Sequence, residues 1–186
     1  MRFKKTFIYV FLMIMSLNIT SCSFVEPINP TKSIKEIQAT TPILKSSLDN
    51  IVKKYVGPEG MQPYFGGKTF YDYKIIDSEK SDDIIKIYLD LIGQEYYIED
   101  DKLVMGTGGA FFASVTMKKE NNNYKLVSYE VPKSIETEES IKIFPKSIRK
   151  KALRTDTPSL KNIEKEAETY FKKLKIKISL IIIILD

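Results

Sequence analysis

Few kinds of side chain in this chain could carry chemistry, because the sequence has no histidine and a single cysteine. A Ser-His-Asp triad, a Cys-His pair and the usual histidine-rich zinc sites are therefore excluded. Carboxylates remain, and two of them flanking a glycosidic bond can hydrolyse it without histidine. Asp72, Asp90 and Glu95 are the candidates for such a pair. A chain with 24 acidic residues will form some such pairs by chance, so we predict no catalytic residue. We also predict no cofactor and no metal.

The single cysteine, Cys22, ends an apolar N-terminal segment. The chain opens with the cationic sequence Met-Arg-Phe-Lys-Lys, and residues 7–15 are then all apolar. A positive start followed by an apolar run of roughly 7–15 residues is the pattern of a secretory signal peptide. The run is too short for a transmembrane helix, which needs about 20 apolar residues. The sequence therefore predicts a signal peptide over residues 1–21 and export of the mature chain.

The residues Ile19-Thr20-Ser21-Cys22 resemble the lipobox of bacterial lipoproteins. In that family the signal peptide is cut just before the cysteine, and the thiol carries a diacylglycerol. The resemblance implies lipid attachment at Cys22 and a location on the extracytoplasmic face of the cell membrane. Two acyl chains anchor a protein stably, whereas one binds membranes only marginally. The alternatives are an ordinary signal peptide with an incidental cysteine and an uncleaved anchor.

The composition of the mature chain argues against nucleic acid as a partner. Removing residues 1–21 takes away three cations and no acid, so the formal charge falls from +5 to +2 over 165 residues. A small net charge of mixed sign does not predict binding to a phosphate backbone. The abundance of isoleucine, lysine and asparagine resembles proteins of low-GC Gram-positive bacteria.

A tether and a helix are predicted at the start of the mature chain. Residues 22–40 contain two prolines and no sustained periodicity, which is typical of a tether. Over residues 41–58 apolar side chains recur at helical spacing. Thr41 suits the N-cap and Pro42 the first helical position. Gly57-Pro58 then predicts the end of the helix.

An antiparallel meander is predicted for residues 68–131, because short β-rich runs alternate with turn residues. The runs lie at 68–77, 84–93, 95–98, 102–106, 108–119 and 124–132. We interpret the acidic run at 99–101 as a solvated hairpin tip rather than a calcium site, since it has no EF-hand ligand loop. The Gly-Thr-Gly-Gly sequence at 106–109 lacks the ending of a phosphate-binding loop and predicts a bulge or a strand crossing.

The last third of the chain predicts helices and an ambiguous tail. A short helix is predicted at 147–153 and a long amphipathic one at 158–173, so that residues 41–173 make one globular domain. The tail, residues 174–186, ends in six consecutive large aliphatic residues. It is either a buried last strand or a segment that is not native to the fold.

A second resemblance covers residues 124–153. This segment is similar to extracytoplasmic domains of low-GC Gram-positive bacteria, including small lipoproteins and domains near penicillin-sensing regulators. Tyr129, Pro132, the Ile143-Phe144-Pro145 step and the helix after it carry the likeness, with Lys133-Ser134 where the related segments have Asp-Gly. The resemblance implies a cell-envelope setting and ligand sensing.

Together these patterns predict an α+β fold, with an N-terminal helix packed on a curved antiparallel meander and a C-terminal helix. The outline is similar to cystatin-like or NTF2-like domains. We expect a non-enzymatic lipoprotein that binds a small ligand, a glycan or a protein partner, and an envelope hydrolase is the alternative. The 59–67 loop is either a turn packed by its own aromatic rings or a ligand-contacting loop. The candidate ligand contacts are Tyr64, Phe65, Tyr96 and Tyr97.

Overall fold

The computed structural model describes residues 41–134 and 136–185, with side chains as far as Lys175. The predicted signal peptide, the lipid-attachment residue Cys22 and the tether at 22–40 lie outside the described residues.

The first helix, α1, spans Pro42–Ile51 and begins as the sequence predicts. The hydroxyl of Thr41 accepts a hydrogen bond from the backbone N–H of Leu44 at 3.4 Å. Proline fits directly after this cap, because the first N–H groups of a helix have no partner within it.

The predicted end of this helix at Gly57-Pro58 is wrong. A π-helical turn, Val52–Val56, follows α1 and leads into a further helical turn, α2, at Gly57–Gly60. Pro58 has no N–H and its ring crowds the preceding turn of an α-helix. A wider π-helical turn placed directly before it gives the ring room, so the chain remains helical as far as Gly60.

Four strands form one antiparallel sheet in the order β1-β2-β3-β4, which confirms the α+β class and the meander. The six short predicted runs merge, because residues 84–99 form one strand and residues 102–120 another. The strands are β1 at Lys68–Ser81, β2 at Ile84–Glu99, β3 at Lys102–Glu120 and β4 at Asn123–Glu130.

The predicted hairpin tip between β2 and β3 is confirmed. Asp100 and Asp101 alone separate the two strands, and both have positive φ angles, 49° and 59°. Two consecutive left-handed residues give a turn whose twist matches that of the flanking strands, and aspartate tolerates this conformation.

Helices cover both faces of the sheet. On one face, Leu44, Leu48 and Val52 pack against inward-facing residues of β2 and β3 such as Leu89 and Val115. On the other face, two smaller buried clusters hold the C-terminal helices. Consecutive strand residues point to opposite faces, so a sheet covered on both sides needs apolar residues in both alternating sets.

The C-terminal third adds three helical elements before the long helix. A short helix, α3, spans Thr137–Ser140 and runs into a 3₁₀ turn at Ile141–Ile143. Helix α4 at Lys146–Ala152 corresponds to the predicted short helix. Phe144 packs on Tyr88 of the sheet at 5.4 Å between ring centroids and fixes this region in place.

The last helix, α5, spans Leu160–Leu185, so the predicted end at 173 and the interpretation of the tail as a strand are wrong. β-branched residues lower helix propensity by only a few tenths of a kcal/mol each, and no glycine or proline interrupts residues 174–185. A helix that already exists therefore continues through them. In the part of the chain that the structure describes, no helix is both long and apolar enough to cross a membrane.

Candidate functional site

The loop at 61–67, here called the aromatic loop, is held by one buried carboxylate. Three of its backbone N–H groups donate to Glu95 of β2, whose side chain is 0% exposed. The N···O distances are 2.9 Å from Tyr64, 2.9 Å from Phe65 and 2.8 Å from Gly67. A loop without regular structure is thereby tied at three points to β2, an interior strand of the sheet.

A bulge in β3 completes the environment of this carboxylate. Gln94 pairs with Gly108 and Tyr96 pairs with Met105, so two residues of β3 lie opposite Glu95 alone. One of them, Thr107, donates its backbone N–H to Glu95 at 3.2 Å. The bulge predicted from the glycine-rich sequence is therefore confirmed, and it supplies a fourth donor.

Glycine is required in this bulge because the carboxylate comes so close to it. A Cβ atom on Gly106 would lie 2.7 Å from Oε2 of Glu95. The neighbouring Gln94 binds the carbonyl groups of the same bulge, since its amide donates to the oxygen of Gly106 at 2.9 Å. Glu95 thus accepts a hydrogen bond from one N–H group of the bulge, and Gln94 donates to its carbonyl groups.

The hydrogen bonds decide the charge state of Glu95. Burial by itself would raise the pKa of this carboxyl group. The backbone N–H groups of Tyr64, Gly67, Phe65 and Thr107 outweigh burial and lower the pKa from 4.5 to about 2. The group is ionised at neutral pH, and its oxygens are occupied in positioning the aromatic loop.

A groove of about 970 Å³ lies beside the loop, between the β2–β3 hairpin tip and helix α5. The rings of Phe65 and Tyr97 stack in its wall, 5.6 Å between centroids and 18° between planes. Lys68 and Tyr170 also line the groove, and the ammonium group of Lys68 lies 3.8 Å from the ring centroid of Tyr170. Its remaining lining is mostly apolar with a charged rim and comes from Gly66, Gly67, Ile98, Asp101, Leu103, Glu168, Phe171, Lys172, Leu174 and Lys175.

The four aromatic residues that the sequence predicts as ligand contacts have different environments in the structure. Phe65 and Tyr97 line the groove. Tyr64 is 82% exposed and packs edge-on against Phe65, with 5.3 Å between ring centroids. Tyr96 is only 3% exposed and packs in the core beneath α5, next to Phe70. Alternation along β2 explains the difference, because neighbouring residues of a strand face opposite ways.

Sequence reasoning missed the part of the groove that α5 contributes. Tyr170 and Phe171 belong to the apolar stripe of that helix and read as core residues. Their spacing alone does not tell which side chains at the rim of such a stripe stay exposed. The exposure of the aromatic loop, by contrast, is indicated by the glycines at both of its ends.

The three candidate catalytic carboxylates do not meet in one place. Asp72 and Asp90 are on the same face of the sheet, because Asp72 pairs with Ile92, two residues from Asp90. Glu95 is an odd number of residues from Asp90 and points to the other face. The groove is lined by other residues, and none of the three carboxylates is among them.

Asp90 and Asp72 have different environments. Asp90 is 5% exposed, and burial raises the pKa of its carboxyl group to about 6, while the charge of Lys74 across the strand pair acts in the opposite direction. Asp72 accepts a hydrogen bond from the side-chain amide of Asn162 at 3.0 Å, which joins β1 to α5. Among the described residues, no three or more histidine, cysteine or acidic side chains are grouped so that they could hold a metal ion.

Comparisons with known proteins assign no family to this chain: no family model, no curated protein and no solved structure matches it.

Proposed function

We propose that this protein is a membrane-anchored, extracytoplasmic lipoprotein that binds a small ligand, a glycan or a protein partner at the cell envelope without catalysing a reaction. The groove beside the aromatic loop is the proposed binding site. The observation that carries the proposal is the pairing of exposed rings, Tyr64 and Phe65, with a fully buried carboxylate that fixes their backbone.

The energetics of this pairing favour a binding role. Burying a carboxylate is unfavourable unless hydrogen bonds compensate for the lost water. Here three of the four compensating donors belong to a surface loop, so the arrangement orders the loop rather than filling the core. A binding surface that is already ordered loses less conformational entropy when the ligand arrives. Large exposed aromatic side chains are also enriched at the centres of binding sites.

The anchor in this proposal is the lipid on Cys22. Mass spectrometry of the protein extracted from native membranes should find a diacylglycerol on Cys22 as the first residue of the mature chain. The Cys22→Ala variant should leave the membrane fraction, because the thioether link to the lipid cannot form. An unmodified thiol in membrane-purified protein would refute the anchor. A location outside the cytoplasm also fits a chain with no expected nucleic-acid partner.

The groove is tested separately from the anchor. Insoluble cell-wall glycan and detergent-solubilised envelope proteins are two probes for the proposed ligand classes. Phe65→Ala and Tyr97→Ala should each reduce retention of the protein on the probe that binds. Tyr129→Ala removes a comparably exposed ring, 37% exposed on β4, and is the matched control. Equal retention of all three variants would show that the groove is not the site.

A cystatin-like or NTF2-like arrangement is part of the same proposal. In such domains a curved sheet wraps a helix and leaves a cavity at its open end. The packing of α1 on one face of a four-stranded meander supports the likeness. An experimental structure with a bound ligand would test whether the sheet and α1 enclose the ligand in that way.

A further inference from the structure

Strand β3 is much longer than β4, the strand that pairs with it on the side away from β2. Strand β4 pairs only with Ser114–Glu120 of β3, whereas β2 pairs with β3 along nearly its whole length. In the described part of the chain, no strand pairs with residues 102–113 on the β4 side. We call this stretch the open edge. Among the described residues its outward-pointing backbone N–H and C=O groups have no strand partner, and such groups can pair with another strand.

The open edge lacks the features that protect the other edges of the sheet. The outer edge of β1 carries six charged residues and is tied to the loop before α5, where Lys74 donates to the carbonyl oxygen of Asp156 at 2.7 Å. Strand β4 has only eight residues, and Pro132 follows it closely. The sequence of the open edge, KLVMGTGGAFFA, has one charge, at its start, and no proline. Edges of soluble proteins usually carry such protection.

The residues at the centre of the open edge are also exposed to solvent. Gly108, Gly109 and Ala110 are exposed, and a Cβ atom on Gly109 would meet no other atom within 4 Å. Met105 is 55% exposed on the same stretch. The bulge at Gly106 is fixed from the inside by Glu95 and Gln94, so the edge is held in one conformation before any partner arrives.

We propose that the open edge is a dimerisation surface, on which a second copy of this chain pairs antiparallel about a two-fold axis. Such pairing uses the same residues of both copies and joins the two sheets into one. The charge pattern of the open edge is compatible with a second copy. Lys102 is the only charged residue of this edge, and in an antiparallel pair the two copies of Lys102 lie at opposite ends and do not repel each other. Assembly stops at two copies, since the outermost edges of the joined sheet are the charged β1 edges.

Cysteine cross-linking in native membranes tests the proposal on the full chain. Thr107→Cys places a thiol beside the midpoint of the open edge, close to the same thiol of the second copy. The double substitution Met105→Cys/Ala110→Cys places two thiols that face each other across the pair, 105 against 110. Val127→Cys places one on β4, where the native side chain is 56% exposed, much as Met105 is on the open edge. Under mild oxidation we expect a reducible band at twice the monomer mass from at least one open-edge variant. We expect none from Val127→Cys or from the unmodified chain.

A cross-link to a different protein would overturn the choice of a second copy, and the absence of any cross-link would overturn the open edge as an interface. A charge variant supplies a second measurement. Ala110→Lys should convert the detergent-solubilised protein from dimer to monomer in sedimentation, because it places a charge inside the paired stretch, where the native edge has none. Val127→Lys adds the same charge to β4 and should leave the dimer intact. A wild-type protein that sediments as a monomer at every concentration would refute the proposal.

Discussion

The carboxylate of Glu95 lies 2.9 Å from the backbone nitrogen of Phe65, a residue 30 positions earlier in the chain. This contact links a buried position of the sheet to an exposed ring of the groove. It ties the stability of the fold to the shape of the proposed binding site, because the same carboxylate satisfies the β3 bulge and the aromatic loop.

Replacing Glu95 with glutamine should destabilise the protein and loosen the aromatic loop. The amide has one oxygen in place of two, and its NH₂ group would face backbone donors that need an acceptor. The melting temperature should fall, and the near-ultraviolet circular dichroism of the loop tyrosine should weaken. Glu99→Gln makes the same chemical change at an exposed position and should alter neither. If both variants melt alike, the carboxylate does not hold the loop.

Acid should remove the contribution of Glu95 to stability within a defined pH range. Its pKa is about 2 in the folded protein and 4.5 as the reference value. The folded state therefore favours the ionised form, so the stabilisation is complete above about pH 4.5 and is lost as the pH falls towards 2. The urea midpoint of the wild type should decline over this range. The Glu95→Gln variant should show a shallower decline, and an unchanged slope would contradict the assignment.

The ionisation of Asp90 should change the stability of the protein in the opposite direction, and at higher pH than that of Glu95. Burial raises the pKa of this group from 3.8 to about 6, so the folded state favours the protonated form. The associated stability is complete below about pH 3.8 and is lost as the pH rises to 6, on the order of 3 kcal/mol at about 1.4 kcal/mol per pH unit.

The test of this assignment is Asp90→Asn, which keeps the side-chain volume and removes the charge. It should raise the urea midpoint at pH 7.5 and change it little at pH 4. Asp82→Asn, in the exposed turn between β1 and β2, should change neither value. A variant that is less stable than the wild type at pH 7.5 would show that the ionised carboxylate is needed.

Strand β3 should tolerate a methyl group at Gly109 and not at Gly106, which lies in the bulge. Gly106→Ala places a Cβ atom 2.7 Å from Oε2 of Glu95, and overpacking of this kind destabilises by about 1–3 kcal/mol. Gly109→Ala, three residues away on the same strand, meets nothing within 4 Å and should change stability by less than about 0.5 kcal/mol. Urea unfolding measures both. Equal effects would mean that the contact with Glu95 does not restrict Gly106.

Ending the chain after Lys175 should leave the stability of the domain nearly unchanged. Among the side chains that the structure describes, α5 packs on the sheet through the buried Ile163 and Ala167 and the partly buried Phe171, which all precede the cut. The urea midpoint should correspond to a change within about 0.5 kcal/mol, and solubility should improve because the six-residue aliphatic run is removed. A much lower midpoint would show that residues 176–186 contribute to the fold.

The sequence by itself determined the local structure. Thr41 and Pro42 specify a helix start, the Asp100-Asp101 pair specifies a tight turn, and alternation in β2 and β3 specifies strands, because these preferences depend on a few neighbouring residues. The sequence predicted the ends of helices less well. The chain stays helical past Gly57-Pro58 through a π-helical turn, and α5 continues through the isoleucine-rich tail. In both cases a helix that has already formed continues through residues that usually end a helix or favour a strand.

Only the tertiary structure decided the site. Glu95 read as one carboxylate among 24 acidic residues, and its partners in the loop are about 30 positions away in the sequence. Tyr96 and Tyr97 are chemically equivalent neighbours, yet one is in the core and the other lines the groove. The reason is that hydrogen-bond partners and solvent exposure depend on which distant elements pack together, and neither propensity nor periodicity contains that information.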